Sequence, residues 1–300
     1  MASLLGSSPS RPSLNYSSVT DKGLNRDNNE DCLLSIPERG VWLVADGMGG
    51  HEAGEVASAI VRDTVQAKLD KPGLNGASLP EAIQQAHTAV LDAARNGIGA
   101  TGMGSTVVAL QNRDQEYEIA WVGDSRAYLW THEPGSGRLE QLTTDHSYVQ
   151  LLLASGAITK KEVDNHPDKN VITQCIGSTD LAEVNIDTVC GRWQQHQWIL
   201  LCSDGLTDEV DDKTIARILY NASSPKDAVN HLLQAALDGG GRDNITLQVI
   251  ESPLDFRNPL TSLDDWLPAI SGHRRLDNLL YGVALVSFLL LCYWLFIGAC

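Results

Sequence analysis

Between residues 13 and 251 the chain alternates short apolar runs with turn-forming clusters. "VWLVAD", "STVVAL", "YEIAWVGD", "RAYLW", "WILLCSD" and "ITLQVI" are each bounded by Gly, Asn or Asp and predict strands. Several are separated by tight turns and not by helices, so antiparallel pairing is expected over a doubly wound parallel sheet. Two stretches carry helical spacing instead. "SLPEAIQQAHTAVLDAARNG" opens with a Ser78/Glu81 capping box and Pro80, then repeats Ile83, Ala86, Val90 and Ala94 on one face. "EAGEVASAIVRDTVQAKL" does the same with Val56, Ile60 and Val61. The expectation is an α+β fold: two packed antiparallel β-sheets, a β-sandwich, flanked by α-helices on both sides. From "DHSYVQLLLASGAIT" to "HPDKNVITQCIG" polar and helical pieces interrupt the strand pattern and predict a small flap insertion.

The ends of the chain follow other patterns. Residues 1–12 read as a disordered tail, with no apolar core of a signal peptide. Residues 252–275 read as a polar, proline-bearing linker. Residues 276–300 include Leu279 to Cys300, which carries no charge over about the twenty residues needed to span a bilayer, and predict a transmembrane helix. Arg274 and Arg275 precede it and no basic residue follows, which places residues 13–251 in the cytoplasm of a single-pass plasma-membrane protein.

Charge and cysteines narrow the chemistry. A formal net charge of -16 removes the electrostatic footprint of a nucleic-acid binder. The six cysteines form no CxxC pair, and a reducing compartment fits them. A cysteine-dependent phosphatase needs arginine six residues after its nucleophile; Cys32, Cys175, Cys190 and Cys202 have Glu38, Leu181, His196 and Asp208 there. "HEAGE" lacks the second histidine of a zinc-protease helix, and no phosphate-binding P-loop occurs.

Three predicted strands end in aspartate: Asp46 in "LVADG", Asp124 in "WVGDS" and Asp204 in "LLCSDG". Asp243 opens the last strand, beside Asn244, and Glu30 and Asp31 close "NNED". Asp-Gly alone is ordinary turn chemistry. A set of carboxylates at one rim of a sandwich is costly without a cation, and oxygen-only ligands favour Mg²⁺ or Mn²⁺. The glycines after Asp46 leave room for the backbone to approach such an ion, so that the Gly47 carbonyl could bind it directly.

Read in order, "GLNRDNNED", "ADGMGGHEAGEVAS", "GMGSTVVAL", "VGDSRAYL", "LTTDHSYV", "LLCSDGLTDEV" and "GGGRDNITLQVI" resemble the metal-dependent Ser/Thr protein phosphatases of type 2C, bacterial branch. The resemblance runs from about Asn25 to Ile250. It implies an antiparallel sandwich with two Mn²⁺ or Mg²⁺ ions at one end, hydrolysing phosphoserine and phosphothreonine with a water activated between the ions. It implies that Asp46 bridges both ions, that Asp204 and Asp243 complete one site, and that Glu30 and the Gly47 carbonyl complete the other. Asp31 and Asn244 would support them, Asp124 with Asp204 would hold a third, looser ion, and Arg26 would grip the phosphate. Phosphorylated proteins are the implied substrates and a Ser/Thr kinase the implied counterpart. One departure stands out: Met48 occupies the position where some members carry a general-acid histidine, which leaves the proton donor unassigned, with His51 nearby. A catalytically silent module that binds phosphoproteins or metals is the competing class.

Overall fold

The computed structural model describes residues 14–50, 53–69, 77–163 and 166–254. The predicted tail 1–12, the transmembrane helix 276–300, nearly all of the linker 252–275 and His51 lie outside the described residues. Among the described residues no helix is long and apolar enough to cross a membrane.

Among the described residues, eleven strands form two sheets in which every pairing is antiparallel. One sheet runs β1 (Tyr16–Asp21), β11 (Ile245–Glu251), β10 (Gln197–Cys202), β7 (Arg126–Glu133), β8 (Ser136–Gln141). The other runs β2 (Asp31–Ile36), β3 (Val41–Met48), β5 (Val107–Arg113), β6 (Glu116–Val122), β9 (Asp187–Arg192), and the two-residue β4 (Gly104–Ser105) pairs with the end of β3.

The strand period of two explains the unbroken apolar runs. In β3, Trp42 and Val44 point between the sheets while Val41, Leu43 and Ala45 point at helices α1 (Ala53–Leu69) and α2 (Leu79–Arg95). In β10, Ile199 and Leu201 face between the sheets, and Leu200 and Cys202 face α5 (Asp204–Thr207), α6 (Asp212–Asn221) and α7 (Pro225–Gly239). Helices therefore cover both outer faces, and central strands bury both of theirs, a pattern more often seen in parallel sheets. The capping box of α2 is present: Ser78 Oγ accepts from Glu81 N, and Glu81 reaches back to the Ser78 N–H at 2.8 Å. Beyond the strands read from apolar runs, the sandwich also contains β1, β2, β8 and β9.

The flap leaves the sandwich after His146 and returns at Thr173. Its neck is closed by the Ser147–Ile172 bridge, by Tyr148 N–H donating to the Val171 carbonyl at 2.8 Å, and by Thr173 N–H donating to the His146 carbonyl at 2.7 Å. It carries α3 (Tyr148–Ala154) and α4 (Lys160–Val163).

Candidate metal centre

The strand ends converge. Asp31 opens β2 directly opposite Asp46 near the end of β3. Asp204 follows β10 in the other sheet and starts α5, and Asp243 precedes β11. The carboxyls of Asp46 and Asp204 lie within hydrogen-bonding reach of each other. Asp124, beyond the end of β6, is close enough to raise the proton affinity of Asp46.

The carboxyls report a shared electrostatic problem. Burial, followed by Asp31, Asp204, Asp124 and Asp243, holds Asp46 well above its ordinary value. Burial pushes Asp31 up to about 7, against the hydrogen bonds it receives from Thr246 and Ser203. Burial and then Asp204 push Asp124 up to about 8, and burial with Asp208 and Asp243 pushes Asp204 up to about 6. Glu30 is raised as well, by burial, although Arg26 opposes the shift. Mutually repelling buried carboxylates are what a divalent cation relieves.

Two further observations fit a cation. Asp204 Oδ1 and Asp31 Oδ1 are buried without a hydrogen-bond partner among the described residues, which is costly unless something else binds them. The backbone beside Asp46 is stripped to admit Glu30: a Cβ on Gly47 would lie 2.6 Å from the Glu30 carbonyl oxygen and 2.1 Å from that of Gly54, and a Cβ on Gly54 would lie 2.7 Å from Glu30 Cδ. No three His, Cys, Asp or Glu side chains among the described residues are already drawn together as a metal cage. Asp243 gives one oxygen to Arg26, whose guanidinium donates to Oδ2 at 2.6 Å.

Polar residues hold these groups in place. Asp46 N–H donates to Thr106 Oγ1 at 3.1 Å while Thr106 N–H donates to the Asp46 carbonyl at 2.8 Å. Asp31 Oδ2 accepts from Ser203 Oγ at 2.8 Å. Asn244 staples the loop that carries Arg26: its Oδ1 accepts from Glu30 N–H at 2.8 Å, and its Nδ2 donates to the carbonyls of Lys22 and Asn28 at 3.0 and 2.9 Å. Ser58 Oγ, on α1, donates to the Glu30 carbonyl at 2.6 Å. Ser203, Gly54 and Ser58 were not legible as site residues.

Beside Asp124 and Asp204 a cavity of about 600 Å³ opens toward the flap, lined among others by Arg126, Asp145, Lys169 and Asp208. The flap reaches its far wall: Lys169 Nζ and Asn170 Nδ2 donate to the two oxygens of Asp208 at 2.9 and 3.1 Å.

A two-sheet sandwich with a carboxylate rim and an adjoining arginine defines a class of metal-dependent hydrolase folds. Residues 23–238 match the family described as Protein phosphatase 2C, and the chain belongs to that family. It is 36% identical over 244 residues to the serine/threonine phosphatase stp of Listeria monocytogenes, covering 78% of this chain and 94% of that protein. The crystal structure of the Mycobacterium tuberculosis serine/threonine phosphatase PstP/Ppp aligns with a TM-score of 0.71 at 35% identity, covering 79% of this chain and 98% of that one. The catalytic domain of PstP in complex with two manganese ions aligns with a TM-score of 0.69 at 32% identity, covering 79% and 97%.

Proposed function

We propose that this protein is a metal-dependent phosphoprotein phosphatase that hydrolyses phosphoserine and phosphothreonine, using Mn²⁺ or Mg²⁺. The observation that carries the reading is the set of raised, partly unpartnered carboxyls from both sheets at one rim, with Arg26 beside them. Asp46, Asp204 and Asp243 with Glu30 and the Gly47 carbonyl would hold two core ions, and Asp124 with Asp204 a third. When bound, such ions supply Lewis acidity toward a water and toward phosphate oxygens. Arg26 would orient the phosphate: it is a fork-shaped donor, half exposed, and held by Asp243 at the edge of the rim. Asp31 and Asn244 position the ligands. With Met48 at the strand end, no side chain among the described residues is assigned as proton donor to the leaving hydroxyl. The cavity toward the flap would receive the chain flanking the phosphorylated residue.

The uncharged run Leu279 to Cys300 supports a single membrane span with the phosphatase domain, about 13–251, in the cytoplasm, joined through the linker 252–275. Tethering would raise its effective concentration near a membrane-bound Ser/Thr kinase and that kinase's substrates. Membrane fractionation of the full chain against one ending at residue 275 tests the span; equal partition into the soluble fraction overturns it.

Activity is tested by phosphate release from a phosphothreonine peptide, using the full chain in detergent micelles with Mn²⁺, Mg²⁺ or chelator. Release is expected with metal, and is expected to fall to background with chelator and in Asp204→Asn. Metal binding without release under any condition would instead favour the silent binding module.

A further inference from the structure

His146 is buried at the neck of the flap, 9% exposed, and every polar atom it has is engaged. Its Nδ1 accepts from the Gly123 N–H at 3.2 Å, and its own N–H donates to the Gly123 carbonyl at 2.9 Å. One residue therefore grips both polar backbone groups of Gly123, the residue just before Asp124. Its carbonyl accepts from Thr173 N–H at 2.7 Å, where the flap returns. Its Nε2 meets Asp187 Oδ2 at 3.2 Å, and the other oxygen of Asp187 accepts from Asn185 at 3.1 Å.

The pattern specifies the chemical form of the ring. An Nδ1 that accepts a backbone N–H carries no proton, so the ring proton sits on Nε2 and points at Asp187. That is the neutral imidazole, held by an acceptor on one side and a donor on the other. The ring lies against the Trp121 indole, with centroids 6.3 Å apart and planes at 30°, and Trp121 Nε1 donates to the Thr144 carbonyl at 2.9 Å. The segment before the flap is thereby locked onto β6.

Gly123 needs an external hold. It has φ +106°, and a Cβ there would lie 2.7 Å from Thr106 Cβ, so the turn has no side chain of its own to fix it. Left-handed backbone with no anchoring side chain is the kind of joint that drifts, and Asp124 is the next residue.

We propose that His146 is a positioning residue for Asp124, clamping the Gly123 peptide and tying both ends of the flap to the turn that presents this carboxylate. The proposal rests on the reading of Asp124 as a ligand of the looser ion. It gives the flap a direct route to that ion: a shift of the flap neck moves the clamp, and the clamp moves Asp124.

The side-chain geometry supplies the test. Asparagine places an acceptor close to where Nδ1 lies but cannot reach Asp187, whereas glutamine reaches toward Asp187 and leaves Gly123 N–H without its acceptor. Full-length wild type, His146→Asn, His146→Gln and Asp124→Asn, in detergent micelles, would be compared by Mn²⁺ calorimetry and by amide hydrogen exchange over peptides covering 122–124 and 147–173. His146→Gln is expected to speed exchange at Gly123 and at the flap neck at least about tenfold, and to weaken the Asp124-dependent Mn²⁺ event about 10–100-fold, the range for residues that orient ligands. His146→Asn should stay near wild type at Gly123. Wild-type behaviour in both variants overturns the proposal. So does equal loss in both with equally lowered melting temperatures, which would make His146 merely a core residue. If Asp124→Asn leaves Mn²⁺ stoichiometry and affinity unchanged, the ligand reading of Asp124 is what fails. The contrast between asparagine and glutamine in Gly123 exchange then decides the clamp alone.

Discussion

Beneath the rim, β3 runs from Val41 to Ala45 with every side chain buried, whereas flap helix α3 buries only Val149 and leaves Leu151 59% exposed. Tyr148 and Val171 on the flap are likewise 40% and 50% exposed. The carboxylate rim is over-determined: strands buried on both faces carry it, and Thr106, Ser203, Asn244 and Ser58 tie down individual backbone groups and carboxyls. Among the described residues the flap is fixed at its neck and by one latch, Lys169 and Asn170 on Asp208. The contrast puts the proposed metal centre on a rigid, deeply buried part of the molecule, and the neighbouring wall of the cavity on a part with few buried contacts.

The sharpest way to break that contrast is to hollow out the rim's support. Trp42 is fully buried between the sheets, edge-on to Tyr16 with centroids 5.6 Å apart. Trp42→Ala should cost about 3–5 kcal/mol in denaturant unfolding. Trp42→Phe should cost much less, because Trp42 Nε1 has no hydrogen-bond partner among the described residues and its removal abandons nothing. An equal loss in both would show that the indole N–H has a role.

Charge gives the second test. Asp31, Asp124 and Asp204 have an ordinary value of 3.8 and rise in the folded protein to about 7, about 8 and about 6. The metal-free folded state then binds more protons than the unfolded chain between those values. Its stability should therefore fall as pH rises from about 4 to about 8. Saturating Mn²⁺ should flatten the slope and release protons on binding. Chemical unfolding at a series of pH values, with metal and with chelator, checks the sign; a metal-free stability that climbs across this window defeats the account.

A finer probe keeps the ligands and removes one support. Ser203→Ala takes away the hydroxyl that donates to Asp31 Oδ2 at 2.8 Å and accepts from Thr246 N–H at 3.0 Å. The expected result is Mn²⁺ affinity about 10–100-fold weaker by calorimetry, with stoichiometry retained. Unchanged affinity would mean that Asp31 is positioned by the strand alone.

What could be read from the sequence divides along the same line. β3, β5, β10 and β11 were visible because burial on both faces writes them as continuous apolar runs, and Asp46, Asp124, Asp204 and Asp243 were visible because each stands at the boundary of an apolar run. β8, "SGRLEQ", and β9, "DTVCGR", are edge strands with half or more of their positions exposed, and they owe their strand form to pairing with β7 and β6. The supports were hidden for a related reason: Ser203 meets Asp31 across 172 positions, and no local pattern marks a bond of that span.

The smallest expected effect belongs to the flap. Leu151 has little contact to lose, so Leu151→Ser should change unfolding free energy by no more than about 0.5 kcal/mol. Leu153, unlike Leu151, lines the cavity; if the flap wall contacts only the chain flanking the phosphorylated residue, Leu153→Ser should raise KM for a phosphothreonine peptide and leave kcat within about twofold, the pattern of lost ground-state contact. A small aryl phosphate, which cannot reach the flap, should show neither change. Equal losses on both substrates would instead place the flap's influence at the rim itself and erase the distinction between a fixed site and a yielding wall.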